Sequence, residues 1–332
     1  MSNSQPPRLP DLSDPSDARR GVSRAGAPVA GRRLHDHWTT VDGLRLYARA
    51  SNEELNPALR TVILVHGAFI SSRYMVPTAV RLAPCYNVYA PDLPGYGRSD
   101  NPARVLAVAG FSDVLVRWMD TVGVARAAFI GNSFGCQIIA DLAVRYPDRI
   151  TRAILVGPTV DPQRHTLLQQ GARLLLDGIR EPARYLPLLL GDCIRIGLRV
   201  GAQLARVVLA DHIEDNLPRL QVPTLVVRGE HDPLVPQRWA EEAARLLPAA
   251  RLTVVPGVAH VAHYDAPDAF VRIARAFLDA DDTGSARTRR APGRRDRRGL
   301  AAISASGPTR RSSGHSLRGA SGPAPARPRP RR

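Results

Sequence analysis

The sequence contains no lysine; all 46 of its basic residues are arginine. This absence excludes enzymes that hold a substrate or pyridoxal phosphate as a lysine Schiff base, and it excludes the phosphate-binding lysine of P-loop proteins. Cysteine is also scarce: Cys85, Cys136 and Cys193 lie far apart and show no C-x-x-C spacing. This pattern argues against a disulfide framework and a cysteine zinc site. We therefore expect no cofactor and no bound metal ion.

Long apolar runs are missing too. No run approaches the roughly 20 residues that a membrane-spanning helix needs. Arg19 and Arg20 could begin a twin-arginine export signal, but residues 21–31 are too short and too polar for the apolar region of such a signal. We therefore expect a soluble cytoplasmic protein without a membrane partner.

The net charge of +16 is spread unevenly along the chain. Residues 281–332 contain 14 arginines and three aspartates, and residues 1–33 contain six arginines and three aspartates. Both ends are rich in proline and serine and show no periodicity, which is typical of disordered segments. We predict disorder for 1–33 and for the tail 281–332, and a folded region over 34–280 with a net charge of only +2.

Short apolar segments alternate with longer segments of helical periodicity in this folded region. β-type residues flank Asp42-Gly43, a dipeptide that favours a hairpin turn. Later apolar runs lack in-and-out alternation, which is typical of strands buried on both faces of a parallel sheet. These runs are 61–66, 87–90, 127–131, 153–156, 224–227 and 252–255. The pattern predicts an α/β fold with a mostly parallel central sheet and helices on both faces.

Helical spacing of apolar residues predicts the helices of the core. They are expected at 111–122, 136–146, 238–247 and 267–278. Residues 158–218 break the alternation, because they lack a strand signal and predict three further helices instead. Those helices are expected at 167–176, 183–190 and 194–209.

An all-helical insertion between two strands is most simply a cap over a site. We therefore predict a core formed by 34–157 and 219–280 and a helical cap formed by 158–218. The cap contains leucine and valine runs at 174–176, 186–190 and 207–209. We expect some of these side chains to line an apolar pocket and most of them to pack the cap onto the core.

The segment Gly131-Asn132-Ser133-Phe134-Gly135 is a G-x-S-x-G pattern between an apolar run and a helical segment. This is the context of a nucleophile elbow, a sharp turn that exposes a serine at the carboxyl end of a strand. Small residues two positions before and after the serine relieve clashes in so tight a turn. We predict Ser133 as a nucleophile.

A serine hydroxyl is a weak nucleophile unless a base accepts its proton and an acid orients the base. In elbow folds the chain order is serine, acid, histidine. Asp232 follows the run 224–227, and His260 follows the run 252–255. Both therefore leave the same edge of the predicted sheet as Ser133, and we predict Asp232 as the acid and His260 as the base.

Other residues compete for these roles. Asp161 follows the run 153–156 and is the alternative acid. The remaining histidines and one glutamate near these segments are expected in structural, turn or cap-surface positions: His263, His231, Glu230, His165 and His212.

Acyl transfer also needs N–H donors for the oxyanion of the tetrahedral intermediate. One donor is expected from Phe134, the residue after the nucleophile. The second is expected from the loop after the run 61–66, with Ala68 preferred and Phe69 as the alternative. His66 is expected to pack or to hydrogen-bond beneath this loop.

Five segments together resemble the α/β-hydrolase superfamily, and they occur in that family's order. They are the His66-Gly67 loop, PDLPGYGRS at 91–99, the elbow at 131–135, GEHDPLVP at 229–236 and PGVAHVAHYDAPDAF at 256–270. The resemblance covers 34–280. It implies the α/β-hydrolase fold, with Ser133, Asp232 and His260 as the catalytic triad.

The elbow sequence GNSFG further resembles that of the meta-cleavage-product hydrolases, which cut C–C bonds in ring-opened aromatic compounds. Those enzymes typically have a glycine-rich loop after the first His-Gly and a tryptophan after the catalytic histidine. This sequence departs from both features, with Ala68-Phe69-Ile70 and Val261 at those positions.

The leading interpretation is a serine hydrolase that cleaves a small to medium apolar ester or a related acyl compound through an acyl-enzyme. A C–C bond hydrolase of the meta-cleavage-product type is one alternative. A nucleic-acid-binding protein is another, because arginine-rich tails contact phosphate backbones. The tail has no aromatic residues for base stacking, so we expect a small-molecule substrate and no nucleic-acid partner.

Overall fold

The computed structural model describes residues 33–164 and 166–280, and eight strands within these ranges form one sheet. The ends with predicted disorder lie outside the described residues, apart from Arg33. The strands are β1 (His35–Val41), β2 (Leu44–Ala50), β3 (Thr61–Val65), β4 (Asn87–Pro91), β5 (Ala127–Asn132), β6 (Ile150–Val156), β7 (Thr224–Gly229) and β8 (Ala250–Val255).

The strand order is β1-β2-β4-β3-β5-β6-β7-β8. Strand β2 runs antiparallel to both of its neighbours, and all pairs from β4 to β8 are parallel. The predicted mostly parallel sheet is therefore confirmed. Because β3 and β5 to β8 run in the same direction, the loops that follow them leave the sheet at one edge.

The hairpin between β1 and β2 turns at Asp42-Gly43, as predicted. Asp42 has a φ of +51° and Gly43 a φ of +82°, so both residues adopt the left-handed conformation. Two such residues match the right-handed twist of the flanking strands, and glycine adopts this conformation without a Cβ clash.

Nine α-helices lie in the described residues. They are α1 (Val76–Leu82), α2 (Val108–Thr121), α3 (Phe134–Arg145), α4 (Leu167–Arg180), α5 (Leu186–Ala210), α6 (Ile213–Asn216), α7 (Gln237–Leu246), α8 (Ala262–Asp265) and α9 (Pro267–Leu278). Short 3₁₀ turns occur at Ser72–Met75, Pro147–Arg149, Pro162–Arg164 and Leu217–Arg219. The sequence analysis missed α1, because seven residues are too few to establish a helical period.

Two apolar clusters cover the faces of the sheet. Successive residues of a strand point to opposite faces, so Ile63 belongs to one cluster and Val62 to the other. Helices α2, α3 and α7 contribute buried side chains to the first cluster, and α1 and α9 contribute to the second. Helices thus pack on both faces, as expected for an α/β fold.

A helical insertion joins β6 to β7, and its described residues contain no strand. Its two long helices, α4 and α5, are called the cap helices below. The sequence predicted two helices where α5 lies, separated at residues 191–193. The interruption instead lies at Gly197, which has a φ of +71°, whereas Asp192 continues the helix and is buried against the core.

Asp192 ties α5 to the loop that follows β3. Its Oδ2 accepts hydrogen bonds from the backbone N–H of Ser71, at 2.8 Å, and from the Ser71 hydroxyl, at 2.7 Å. Because Ser71 and Asp192 are both buried, loss of either partner would leave an unsatisfied polar group.

No helix in the described ranges combines the length and the apolar character needed to cross a membrane.

The close approach of β7 to the loop after β8 requires a glycine at position 229. A Cβ on Gly229 would lie 1.9 Å from the carbonyl oxygen of Ala259. We expect Gly229→Ala to lower the free energy of unfolding by about 1–3 kcal/mol or more, because the backbone must shift to relieve the clash. Urea denaturation followed by circular dichroism measures this change.

Gly178→Ala is the matched control. A Cβ at this position in α4 would meet nothing within 4 Å, so alanine should leave the stability unchanged or raise it by up to about 1 kcal/mol. Equal stability of the two variants would contradict the steric role assigned to Gly229.

Candidate active site

Ser133 lies in a sharp turn between β5 and α3. Its φ is +54° and its ψ is −118°, and its backbone N–H donates a hydrogen bond to the carbonyl oxygen of Val156 at 3.0 Å. A Cβ on Gly131 would lie 2.6 Å from the Ile139 side chain, and one on Gly135 would lie 2.3 Å from the Val65 carbonyl oxygen. Larger residues at either position would therefore disrupt this turn.

His260 and Asp232 form a buried pair at the same edge of the sheet. The Nδ1 atom of His260 lies 2.8 Å from Oδ2 of Asp232. The other carboxylate oxygen accepts hydrogen bonds from the backbone N–H groups of Leu234, at 2.8 Å, and Val235, at 3.0 Å. The Nε2 atom of His260 has no hydrogen-bond partner among the described residues.

Asp161, the alternative acid, contacts other groups. Its carboxylate accepts hydrogen bonds from Arg238 and from Arg173, the latter at 3.1 Å, and from the backbone N–H of Gln163. Asp161 is completely buried, and these bonds compensate its charge. Of the two candidate aspartates, Asp232 is therefore the one hydrogen-bonded to His260.

The segments that carry the predicted oxyanion donors lie next to Ser133. Phe134 is the first residue of α3, and the N–H groups in the first turn of a helix have no intrahelical acceptor. A Cβ on Gly67 would lie 3.3 Å from the Ser133 Cβ, so the loop that contains Ala68 passes directly against the elbow. Phe69, the alternative donor, has a φ of +63°.

His66 supports this loop from below. It is completely buried, its Nδ1 lies 2.8 Å from the Gly67 carbonyl oxygen, and its Nε2 accepts a hydrogen bond from the Leu93 N–H at 3.0 Å. Burial lowers the pKa of His66. A neutral ring with its proton on Nδ1 satisfies both contacts.

A chain of buried hydrogen bonds connects the three loops of the site. The Gly67 N–H donates to the Tyr74 hydroxyl at 2.7 Å, and this hydroxyl donates to the Asn132 Oδ1 at 2.9 Å. The Asn132 Nδ2 donates to the backbone carbonyl oxygens of His260, at 3.2 Å, and Val156, at 3.1 Å. We call these contacts the positioning network.

The contacts of Tyr74 and Asn132 were not predictable from the sequence, since each residue depends on partners distant in the chain. The sequence analysis missed Thr159, whose Oγ1 lies 3.3 Å from Oγ of Ser133. Thr159 follows the predicted run 153–156, and its position after a strand was the only available signal.

The cap contributes two buried carboxyl groups, on Asp177 and Glu181, that the sequence analysis also missed. Asp177 lies in the last turn of α4, and Glu181 directly follows the helix. Oε1 of Glu181 accepts the backbone N–H of Val261 at 2.9 Å. Burial and then the Asp177 charge raise the pKa of Glu181 to about 8, and burial raises the pKa of Asp177 to about 6.

These carboxyl groups affect His260. Burial disfavours the imidazolium, but the charge and hydrogen bond of Asp232, followed by the charges of Asp177 and Glu181, outweigh it and raise the pKa of His260 to about 9. The three carboxyl groups therefore favour the protonated form of the His260 ring.

The remaining candidates occupy structural or surface positions. His263 is completely buried and edge-on to Tyr74, with 4.7 Å between ring centroids; burial and then the His260 charge lower the pKa of His263 to about 3. Glu230 accepts the Gly257 N–H at 2.8 Å and so joins the loops of Asp232 and His260. His231 and His212 are exposed, and His165 lies outside the described residues.

The leucine runs of the cap differ from the expectation of a pocket lining. Leu174, Leu175, Leu176, Leu186 and Leu190 are exposed to solvent. Leu188, Leu189, Val207 and Val208 instead pack against the two core clusters. Whether a cap leucine or valine is exposed or buried depends on which face of its helix packs against the core.

The arrangement has the elements of nucleophilic catalysis. It combines a half-buried serine in a sharp turn with a histidine that is hydrogen-bonded to a carboxylate. The loop after β3 and the first turn of α3 both lie beside this serine. No three His, Cys, Asp or Glu side chains in the described part of the chain are grouped so that they could hold a metal ion.

Comparisons with known proteins agree with this fold. The family model described as "Alpha/beta hydrolase family" matches residues 62–273. The chain is 25% identical to a 2-(acetamidomethylene)succinate hydrolase of Mesorhizobium japonicum over 66% of this chain and 88% of that protein. It is 24% identical to the carboxylesterase YbfK of Bacillus subtilis over 66% of this chain and 80% of that protein.

A solved structure supports the same conclusion about the fold. The enol-lactonase from Burkholderia xenovorans superposes with a TM-score of 0.60 and 22% identity, and the match covers 74% of this chain and all of that one. The chain therefore has the alpha/beta hydrolase fold, as the sequence predicted.

Tyr74→Phe tests the positioning network. Because the substitution removes the partner of the Gly67 N–H and of the Asn132 Oδ1, we expect kcat for an ester to fall about 10-fold to 100-fold with little change in KM. The free energy of unfolding should fall by about 1–3 kcal/mol. Steady-state kinetics and urea denaturation measure the two effects.

Tyr86→Phe is the control for this experiment. Tyr86 is also buried and donates to Oδ1 of Asp279, but it has no contact with the three loops of the site. It should lose stability without a loss of kcat. A Tyr74→Phe protein with unchanged kcat would contradict the assigned role.

Asp177→Asn tests the electrostatic effect of the cap. Ionised Asp177 raises the pKa of His260, and a general base acts in its neutral form. Removal of this charge should therefore shift the alkaline rise of kcat/KM to lower pH, which a pH–rate profile of the free enzyme reports. Asp268→Asn is the control, because Asp268 is an exposed acid paired with Arg81, and this variant should keep the wild-type pH–rate profile. A shift of the Asp177→Asn profile to higher pH would contradict the electrostatic effect assigned to Asp177.

Proposed function

This chain belongs to the alpha/beta hydrolase family, and from that premise we propose that it is a serine hydrolase that cleaves a small to medium apolar ester or a related acyl compound. In this proposal Ser133 is the nucleophile, His260 the general base and Asp232 the acid. Ala68 and Phe134 donate the oxyanion-hole N–H groups.

The orientation of His260 carries the proposal. One ring nitrogen is bound to Asp232 at 2.8 Å, and the other has no partner among the described residues. Asn132, the residue before Ser133, holds the His260 backbone through its side-chain amide. The free nitrogen is therefore available to a serine hydroxyl, since the loop that carries it is tied to the elbow.

The mechanism follows from these contacts. The Ser133 oxygen attacks the acyl carbon as His260 Nε2 accepts the hydroxyl proton, and the carbonyl oxygen becomes an oxyanion. His260 then donates that proton to the departing alkoxide, which leaves an acyl-enzyme on Ser133. A water molecule, deprotonated by His260, repeats the sequence and releases the acid.

Asp232 and the backbone donors lower the barriers of these steps. Asp232 holds the ring with its proton on Nδ1 and stabilises the imidazolium, and its own charge is satisfied by two backbone N–H groups. Two N–H groups at the oxyanion are each worth roughly 10²–10³ in rate by analogy with other hydrolases. Both would come from backbone atoms, which no side-chain substitution removes directly.

Electrostatics support an uncharged substrate. Asp232 and, when it is ionised, Asp177 place negative charge next to His260, which disfavours an anionic substrate. Arg173 and Arg180 of α4 are bound to Asp161 and to the His231 carbonyl oxygen, respectively. Of the relatives' printed activities, carboxylester hydrolysis therefore fits this chain better than hydrolysis of a succinate derivative.

Ser133→Ala tests the proposal. We expect the variant to lose p-nitrophenyl butyrate hydrolysis by about 10⁴–10⁶-fold and to lose covalent labelling by a fluorophosphonate probe, because both reactions need the serine oxygen. Ser112→Ala is the control: its hydroxyl is buried in a helix–helix contact, and the variant should still be labelled.

Labelling that persists in Ser133→Ala would overturn the mechanism. Labelled wild-type protein that hydrolyses a ring-opened aromatic diketone faster than any ester would instead favour the C–C bond alternative.

A further inference from the structure

The exposed large apolar side chains of the described residues are concentrated on the cap helices. Ten of the twelve lie there: Leu168, Leu174, Leu175, Leu176, Ile179, Leu186, Leu190, Ile194, Leu198 and Val200. We call these ten side chains the cap face. The exposed fraction reaches 95% for Leu198, 84% for Leu168 and 80% for Ile194.

Such exposure is costly in water. Single exposed apolar residues are normal on a protein surface, but a concentration of this kind marks an interaction site. Leu186, Leu190 and Ile194 recur at intervals of four before the interruption at Gly197 and so lie on one side of α5. The core covers the opposite side, where Asp192 is buried.

Charge on the cap helices is segregated by sign. Every acidic residue between 167 and 210 is buried, namely Asp177, Glu181 and Asp192. The arginines of the same stretch are largely exposed, namely Arg180, Arg184, Arg195, Arg199 and Arg206. The outer surface of the two cap helices is therefore apolar, and its charged groups are exclusively positive.

We propose that the cap face docks on the surface of a lipid bilayer that contains anionic lipids. Apolar side chains would enter the boundary between headgroups and acyl chains, and the arginines would lie at the level of the lipid phosphates. Helices that lie in an interface combine these two features. The proposal does not depend on Ser133, because it concerns the outside of the cap.

The charge pattern disfavours other occupants. A second copy of this chain, joined cap to cap, would bring two sets of exposed arginines together. The end segments of the chain are also basic, at +3 for 1–33 and +11 for 281–332, and have few large apolar residues. Both would be repelled by the cap, whereas an anionic bilayer attracts it.

Docking of this kind needs no spanning helix. No membrane partner was expected from the sequence, because its apolar runs are too short to cross a bilayer. An interfacial helix, however, is defined by its amphipathic character and does not need a long apolar run. The basic tail 281–332 would add attraction to the same anionic surface.

Vesicle flotation of the full-length protein tests the proposal. The probes are vesicles of phosphatidylcholine alone and of phosphatidylcholine mixed with phosphatidylglycerol. We expect stronger partitioning to the anionic vesicles, which salt weakens because it screens the arginines. The variant Leu175→Gln/Ile179→Gln/Ile194→Gln/Leu198→Gln should lower the partitioning by at least about ten-fold, since four apolar side chains no longer insert.

The control variant carries Trp38→Gln and Leu55→Gln, which remove the two exposed large apolar residues outside the cap. It should bind vesicles like the wild type. A second test, Arg195→Gln/Arg199→Gln, should reduce binding to anionic vesicles only. Thermal unfolding should be unaffected in both variants of the cap helices, because their altered side chains are exposed.

Three results would overturn the proposal. One is wild-type protein that binds neither kind of vesicle. Another is a fourfold variant that binds anionic vesicles as strongly as the wild type, which would assign the attraction to the arginine-rich ends. The third is a wild-type protein that binds no vesicles but sediments as a dimer, and whose dimer dissociates on the fourfold substitution. In that case a second copy of the chain would cover the cap face. Ser133→Ala should bind vesicles normally, so failure of the proposed catalysis would not affect this test.

Discussion

The positioning network is the constraint on which the candidate site depends. Its hydrogen bonds run from the Gly67 N–H through the Tyr74 hydroxyl to the Asn132 amide and on to the His260 carbonyl oxygen. They connect three loops that leave one edge of the sheet, after β3, β5 and β8. Loops alone vary in conformation, and the sheet positions only their first residues. Buried hydrogen bonds between the loops therefore convert a shared edge into a defined geometry, because each unmade bond would leave a desolvated polar group.

Carboxyl groups of the cap contribute to the electrostatic environment of His260. Asp232 alone would orient the ring, but Asp177 and Glu181 approach it from the cap and further raise its pKa. The cap is therefore part of the candidate site and not only a cover. Glu181 also accepts a hydrogen bond from the Val261 N–H, so a shift of α4 and the residue after it would change both the position and the charge environment of His260. Asp192 ties α5 to Ser71 beside the other end of the site.

The two sides of the cap helices have different chemistry. Their inner side carries the buried acids that contact the base loop and the loop after β3, and their outer side carries leucine, isoleucine and arginine. A purely structural cover would bury its apolar residues and expose its acids. The inverted placement of the acids and the exposed leucines is consistent with a cap that contacts the core through buried acids as well as apolar side chains and meets an apolar, anionic surface on its outside.

The sequence by itself determined the strands, most helices and the loops that carry Ser133, Asp232 and His260, because apolar periodicity, glycine and turn residues are local signals. It did not determine which aspartate lies against His260, because Asp161 and Asp232 both follow strands. The structure distinguishes them: Asp232 is hydrogen-bonded to His260, and Asp161 is paired with two arginines. Partners up to about 130 positions away in the chain determine the contacts of Tyr74, Asn132, Asp177 and Glu181. The exposure of the cap leucines depends on which faces of α4 and α5 lie against the core. Tertiary packing decided these features, because a helical period indicates that a face is apolar but not what lies against it.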